Sequence, residues 1–367
     1  MITDELLAIL RLQSVPKIGD VTIKKLIEHC GSAQAVFEEK RHHLLKIDGI
    51  GTHILKGLHD GEHQEAAERE YGYIQKNQIG FSYFKDADHP SYLKHCIDSP
   101  VLLYKRGNIN LEGRRLISIV GTRKITSYGT AFCEKFIEEI APLNPVIVSG
   151  FAYGVDITAQ KAAIKHGLQT IGCLAHGLNQ IYPEAHSKYV SDVEKNGGFY
   201  TEFRSTTRPD RENFLKRNRI IAGMTEATVV IESAERGGSL VTADIANSYN
   251  REVFAVPGRA QDKYSSGCNN LIKQQKAHIL TSAADLVYLL GWDVAEKETK
   301  PVQKQLFVDL EPDEQSIYDY LQKNGKQLLD SIALECRLPV FKASSTLLNM
   351  EMKGVVRPLP GKLFEAI

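Results

Sequence analysis

Over residues 1–60 the apolar positions fall close to helical spacing: Leu6, Leu7, Ile9 and Leu10, then Ile23, Leu26 and Ile27, then Leu44, Leu45, Ile54, Leu55 and Leu58. This predicts short amphipathic helices and no strand. Two glycine-bearing turns punctuate them, Val15-Pro16-Lys17-Ile18-Gly19 and Ile47-Asp48-Gly49-Ile50-Gly51. The second has the Gly-apolar-Gly form of a helix-hairpin-helix, whose turn amides can face a phosphate. In the first, Pro16 takes the place of the leading glycine, so that turn reads as structural only. Residues 1–60 are expected to form a small helical domain of SAM or helix-hairpin-helix type.

Residues 61–112 read as a connecting segment, with a polar helix over Glu62–Asn77 and then a mixed stretch. From 113 to 292 the period changes. Short runs rich in Val and Ile, with little polar alternation, predict strands covered on both faces: Leu116–Val120, Val146–Ser149, Thr170–Leu174, Phe199–Glu202, Thr228–Glu232 and Glu252–Val256. Helical patterns such as Tyr128–Ile140 and Val155–His166 lie between them. That repetition predicts an α/β, Rossmann-like, doubly wound and mainly parallel sheet over 113–292. Residues 293–309, with Glu296, Lys297, Glu298, Lys300 and Pro301, read as a polar linker. Residues 310–367 carry three short helical patterns and a terminal ribbon, which predicts a winged helix.

Composition changes this picture little. The chain has 45 Lys and Arg against 45 Asp and Glu, so a nucleic-acid partner would have to be met by locally concentrated charge. Cys30, Cys96, Cys133, Cys173, Cys268 and Cys336 are scattered, with no metal-ligand spacing, which fits a reducing compartment. The start, Met-Ile-Thr-Asp-Glu, lacks the pattern of a secretory signal, and no run is long and apolar enough for a bilayer. A cytoplasmic protein is expected.

Open parallel sheets bind ligands outside the carboxyl ends of their strands. Those ends here carry Gly121-Thr122-Arg123, then Ser149-Gly150-Phe151-Ala152-Tyr153-Gly154, then His176-Gly177 leading to Tyr182, and then Arg236-Gly237-Gly238-Ser239. Each glycine alone serves a tight turn. Four such loops on one rim offer backbone amides to phosphate. No GxGxxG, GxxxxGK[ST] or Gly-x-Ser-x-Gly is present, and Asp156 reads as a first-turn acid rather than a base. The densest charge is Arg204, Arg208, Arg211 and Lys216-Arg217-Asn218-Arg219. On a helix Arg217 and Arg219 point about 200° apart. One of them is expected to reach solvent or DNA and the other to be tied into the fold, and spacing does not choose between them.

Taken in order, these stretches resemble the DprA/Smf family: Ser118-Ile-Val-Gly-Thr-Arg123, Val148-Ser-Gly-Phe-Ala-Tyr-Gly-Val-Asp156, Tyr182-Pro183, Phe214-Leu-Lys-Arg-Asn-Arg-Ile-Ile-Ala-Gly223, Gly238-Ser-Leu-Val-Thr-Ala243 and Val253-Phe-Ala-Val-Pro-Gly258. The resemblance implies a homodimeric protein that binds single-stranded DNA without catalysis and hands incoming DNA to the RecA recombinase in natural transformation. It implies no cofactor, metal or catalytic residue. The expected DNA contacts are Gly121, Thr122, Arg123, Ser149, Gly150, Ala152, Gly154, His176, Gly177, Tyr182, Lys188, Lys216, Arg217, Asn218, Arg219, Gly238 and Ser239. Departures are Gln160 where a His is common, Ala175-His176, Asn179 for the usual Asp, and His186 for a frequent Asn. The rival reading is a nucleotide-processing hydrolase on a related scaffold, of the LOG phosphoribohydrolase type. That type carries a Pro-Gly-Gly-x-Gly-Thr loop, which Arg236-Gly-Gly-Ser-Leu-Val-Thr242 lacks.

Overall fold

Runs of Val and Ile with no polar face make strands only where helices cover both sides of the sheet. In the computed structural model, which describes residues 3–292 and 309–367, those strands lie in the first of two compact units, Met1–Ala277 and His278–Ile367. They are β1 (Gly80–Tyr83), β2 (Leu102–Gly107), β3 (Leu116–Val120), β4 (Val146–Ser149), β5 (Thr170–Cys173), β6 (Gly197–Thr201), β7 (Ala227–Val230) and β8 (Glu252–Ala255). Their spatial order is β1-β2-β6-β5-β4-β3-β7-β8. Neighbours from β6 to β8 are parallel, while β2 runs antiparallel to β6 and β1 to β2. The order reverses at β3: the chain proceeds through β4, β5 and β6 on one side and through β7 and β8 on the other. The loops after β3 and β7 leave in opposite directions, which opens a crevice at this switch point.

The first unit also holds α1 (Thr3–Leu12), α2 (Asp20–Cys30), α3 (Ala33–Glu38), α4 (Arg41–Leu44), α5 (Gly61–Lys76) and α6 (Ser91–Lys94). Around the sheet lie α7 (Ser127–Ile140), α8 (Val155–Lys165), α9 (Val190–Lys195), α10 (Arg211–Gly223), α11 (Gly238–Ser248) and α12 (Ser266–Lys273). Residues 61–112, expected to be a connection, instead extend the sheet by β1 and β2. Their alternation is obscured because Ser82 is buried and Lys105 and Arg106 sit in a strand. Residues 1–60 are helical as their spacing predicts, yet they share a core with the sheet. Leu6, Ile9, Ile23 and Leu55 pack in one cluster with Tyr104, Phe151, Leu178 and Phe199.

The second unit contains β9 (His278–Ile279), α13 (Ala283–Leu289), α14 (Pro312–Asn324), β10 (Gln327–Leu328), α15 (Leu329–Glu335), α16 (Val340–Met352), β11 (Val356–Leu359) and β12 (Leu363–Ala366). The small sheet β10-β12-β11 and helices α14, α15 and α16 form a winged helix around Ile317, Leu321, Ile332, Leu347 and Met350. The linker expected over 293–309 lies, but for Asp309, outside the described residues. No helix among the described residues is long and apolar enough to cross a membrane.

Candidate nucleic-acid interface

The switch-point crevice is a cavity of about 610 Å³. Gly121, Thr122 and Arg123 line it from the β3 loop, and Ala152 and Asp156 from the β4 loop and the start of α8. Two loops approach this closely because Gly154 takes φ +76°, and a Cβ there would fall 2.2 Å from Thr122 O. Val155 N donates to Thr122 O (3.1 Å), and Thr122 N donates to Glu232 O at the end of β7 (2.7 Å). Three rim loops are thereby pinned together.

The opposite wall is the first turn of α11, with Gly238, Ser239 and Thr242. This helix starts from Gly237 with no side-chain cap; Leu240 N turns back to Gly237 O (3.1 Å), and the amides of Gly238 and Ser239 stand at its open end. They carry the positive end of the helix dipole to the cavity. By contrast, α10 is capped by Asp210, whose carboxylate accepts from Glu212 N (2.8 Å). Arg123 is exposed, and its guanidinium lies 5.1 Å from the centre of the Phe214 ring. Phe214 in turn packs against Tyr182, 5.7 Å between centroids. Asn218 and Arg211 complete the α10 side.

Arg217 borders the cavity but is only 4% exposed. Its Nη1 donates to Gly150 O (2.8 Å) and to Cys173 O. On the far side of Gly150, the Asp156 carboxylate accepts from Gly150 N (3.0 Å) and Ala152 N (3.4 Å). A Cβ on Gly150 would stand 2.3 Å from Arg217 Nη1 and 2.5 Å from Asp156 Oδ2, so glycine is required there. Burial pushes the Asp156 carboxyl up against the pull of Arg217, and pushes Arg217 down against the pull of Asp156.

Arg219 is tied in as well. It donates to Glu202, to Asp20 (3.1 Å) and to Asp98 O. The expectation that one of the pair Arg217 and Arg219 faces solvent is therefore corrected: carbonyls and carboxylates from distant elements occupy both. Two carboxylates share the Arg219 guanidinium. Burial, with Asp20 adding to it, raises Glu202 to about 7, although Arg219 pulls the other way. Both acids hold Arg219 above its ordinary value despite burial. A carboxyl raised from 4.5 to about 7 stabilises the fold fully below pH 4.5, and that share is lost as pH rises through about 7. Unfolding free energy is expected to fall across that window by on the order of 2–3 kcal/mol from this group. Glu202→Gln should flatten that part of the profile in denaturant titrations at several pH values; an unchanged profile would refute the assignment.

The other expected contacts divide. Ser149 is buried and donates to Ile119 O (2.6 Å), and Gly150 is enclosed as described. His176 is buried, its Nδ1 2.9 Å from Gly177 O, and burial lowers its pKa. Gly177 N donates to Thr207 O (3.0 Å). As direct DNA contacts these four are corrected: Ser149 and His176 are buried, Gly150 is enclosed between Arg217 and Asp156, and the Gly177 amide is taken by Thr207 O. Lys216 is exposed but lines a separate cavity beside Arg219 and Asp20. Lys188 is exposed, with its Nζ 5.0 Å from the Tyr189 ring centre. The contribution of Phe214, which carries Arg123, went unread although the residue stands within the matched stretch. No group of His, Cys, Asp and Glu among the described residues is placed to hold a metal ion.

A family model described as DNA recombination-mediator protein A matches residues 80–291, and one for the DprA winged helix domain matches 302–362. The chain is 39% identical over 222 residues to the DNA processing protein DprA of Bacillus subtilis, covering 60% of this chain and 72% of that protein. The X-ray structure of DprA from Streptococcus pneumoniae superposes with a TM-score of 0.65 at 29% identity, over 78% of this chain and 97% of that one. DprA from Helicobacter pylori, whose structure describes a single-stranded DNA binding mode, gives 0.53 at 26% identity over 59% of this chain and 98% of that one. With its sheet, its switch-point cavity and most of its winged helix inside these matches, the chain belongs to the DprA/Smf family of DNA recombination mediators.

Proposed function

We propose that this chain binds single-stranded DNA at the switch-point cavity and catalyses no reaction on it. In that role it would shield incoming DNA, work as a homodimer and load RecA recombinase onto the strand during natural transformation and recombination. The observation that carries the binding step is the pairing of the uncapped α11 N-terminus with Arg123, held over Phe214 at the same opening. Together these supply amide donors and one exposed cation to a phosphate, which fixes a backbone without reading bases. The single-stranded binding mode of the Helicobacter pylori relative supports the same reading.

Gel shifts of the full chain with single-stranded and duplex oligonucleotides over a range of salt test it. Single strands are expected to win, with log K falling by about 0.7 per decade of salt for each phosphate neutralised. A salt-independent affinity would overturn the electrostatic account. The hydrolase rival needs an acid near the α11 turn. Asp244, the first acid after the loop, is exposed and paired with Lys276 (3.1 Å), away from the cavity lining. No release of base from nucleoside monophosphates is therefore expected.

The winged helix has a different role in this reading. Its third helix, α16, exposes Phe341, Leu348 and Met352. Lys342 is paired with Asp313 (2.6 Å) and Lys353 with Glu314 (2.6 Å). A helix that reads the major groove presents free cations and amides instead. The segment 310–367 is expected to show no salt-sensitive duplex binding by fluorescence anisotropy, and nanomolar duplex affinity would contradict its assignment to protein contacts.

A further inference from the structure

We propose that the strand held at the switch point continues past Tyr182 into a second cavity, which takes a nucleobase rather than a phosphate, and leaves over Lys188 and Lys161. This rests on the single-strand reading above. The second cavity has a volume of about 830 Å³ and is lined by Tyr153, Asn179, Gln180, Tyr182 and Glu184, among others. Tyr182 is a wall of both cavities, so the two adjoin at a single ring. Among the described residues, Glu184 is the only charged side chain in this lining. A phosphate has no counter-charge there. A base has two rings to stack on and the side chains of Asn179 and Gln180 at its edge, where the Gln180 Nε2 is held by Thr207 O (2.8 Å) and its carbonyl remains to accept.

Both rings present open faces and are held from behind. Tyr153 is 46% exposed and Tyr182 42%. Tyr182 rests on Phe214, and Tyr153 meets the buried His186 edge-on at 4.8 Å. His186 Nδ1 lies 2.9 Å from Phe151 O, which fixes the imidazole. Rings already in place lose little freedom when a base lands on them. Beyond Tyr153 the aromatic run goes on from His186 to Tyr189 at 6.0 Å. The exposed Lys188 and Lys161 hold their ammonium groups 5.0 and 5.7 Å from the centre of that ring. Cations thus stand at both ends, with a ring-lined cavity that holds no cation between them. A single strand has the complementary pattern, a base set between two phosphates.

The test is fluorescence anisotropy of the full chain with a labelled oligothymidylate over a range of salt. Tyr153→Ala is expected to weaken binding about tenfold to a hundredfold, and Tyr153→Phe to leave it near wild type. The salt slope of Tyr153→Ala should stay unchanged, because no phosphate contact is lost. The double variant Lys161→Ala/Lys188→Ala should lower the slope by about 1.4. Tyr153 is half exposed, so circular dichroism and thermal unfolding should match wild type and keep folding out of the comparison. Binding by Tyr153→Ala within about twofold of wild type would leave the second cavity without a role while the switch-point reading stands. An equal loss in Tyr153→Phe and Tyr153→Ala would overturn stacking. Failure of the wild type to bind any single strand would sink both readings.

Discussion

Arg123→Ala is expected to weaken single-strand binding by one to two orders of magnitude while leaving thermal unfolding where it was. The guanidinium is exposed at the cavity mouth, and the Phe214 ring is what it packs on. Removing it therefore empties no core and strands no buried partner. What it removes is a charge-assisted hydrogen bond to phosphate, worth about 1.5–3 kcal/mol. The salt slope should shrink by about 0.7 along with the affinity, since one phosphate loses its neutralising charge. Arg123→Lys should recover part of the slope and less of the affinity, because an ammonium cannot lie flat on Phe214 and still donate two parallel bonds. Titrations of the three proteins, paired with melting curves, decide the matter. A fall in melting temperature as large as the loss of binding would make Arg123 a structural residue.

Why this arginine was legible and others were not follows from where the partners lie in the chain. The strands β3 to β8 stood out because both faces are buried, so each is an apolar run, and most of them end at a glycine loop. The β3 loop announces itself in three letters, Gly121-Thr122-Arg123, and the structure puts them at the cavity. The basic run from Arg204 to Arg219 misleads for the opposite reason. Arg204 is taken by Ser14 and Leu10 O, Arg217 by Gly150 O and Cys173 O, and Arg219 by Glu202, Asp20 and Asp98 O. Four of these partners lie more than a hundred residues from the arginine they bind. Only Arg208, Arg211 and Lys216 of that run are exposed. The same holds for β1 and β2: their membership of the sheet depends on pairing with β6, about a hundred residues later for β2, and no local period carries that.

The second large effect concerns stability, and it falls on a residue first read as a DNA contact. Arg217→Ala is expected to lower the free energy of unfolding by about 3–5 kcal/mol, the usual loss when one member of a buried charge pair is removed. Three groups suffer together. Gly150 O and Cys173 O lose their donor inside the fold, and Asp156, already pushed up by burial, loses the positive charge that opposes the shift. The carboxylate cannot follow by turning outward, because it also holds the amides of Gly150 and Ala152 that shape the β4 loop. Replacing both charges should therefore cost less than the sum of the parts. Arg217→Met with Asp156→Asn keeps volume and the amide contacts, and it should recover at least about 1 kcal/mol relative to the sum of the single variants. Urea unfolding of the four proteins measures this directly. Strict additivity would mean that Arg217 and Asp156 do not interact through Gly150. An Arg217→Ala protein that unfolds like wild type but loses single-strand binding would return the residue to the DNA surface and overturn the reading that Arg123 alone meets phosphate there.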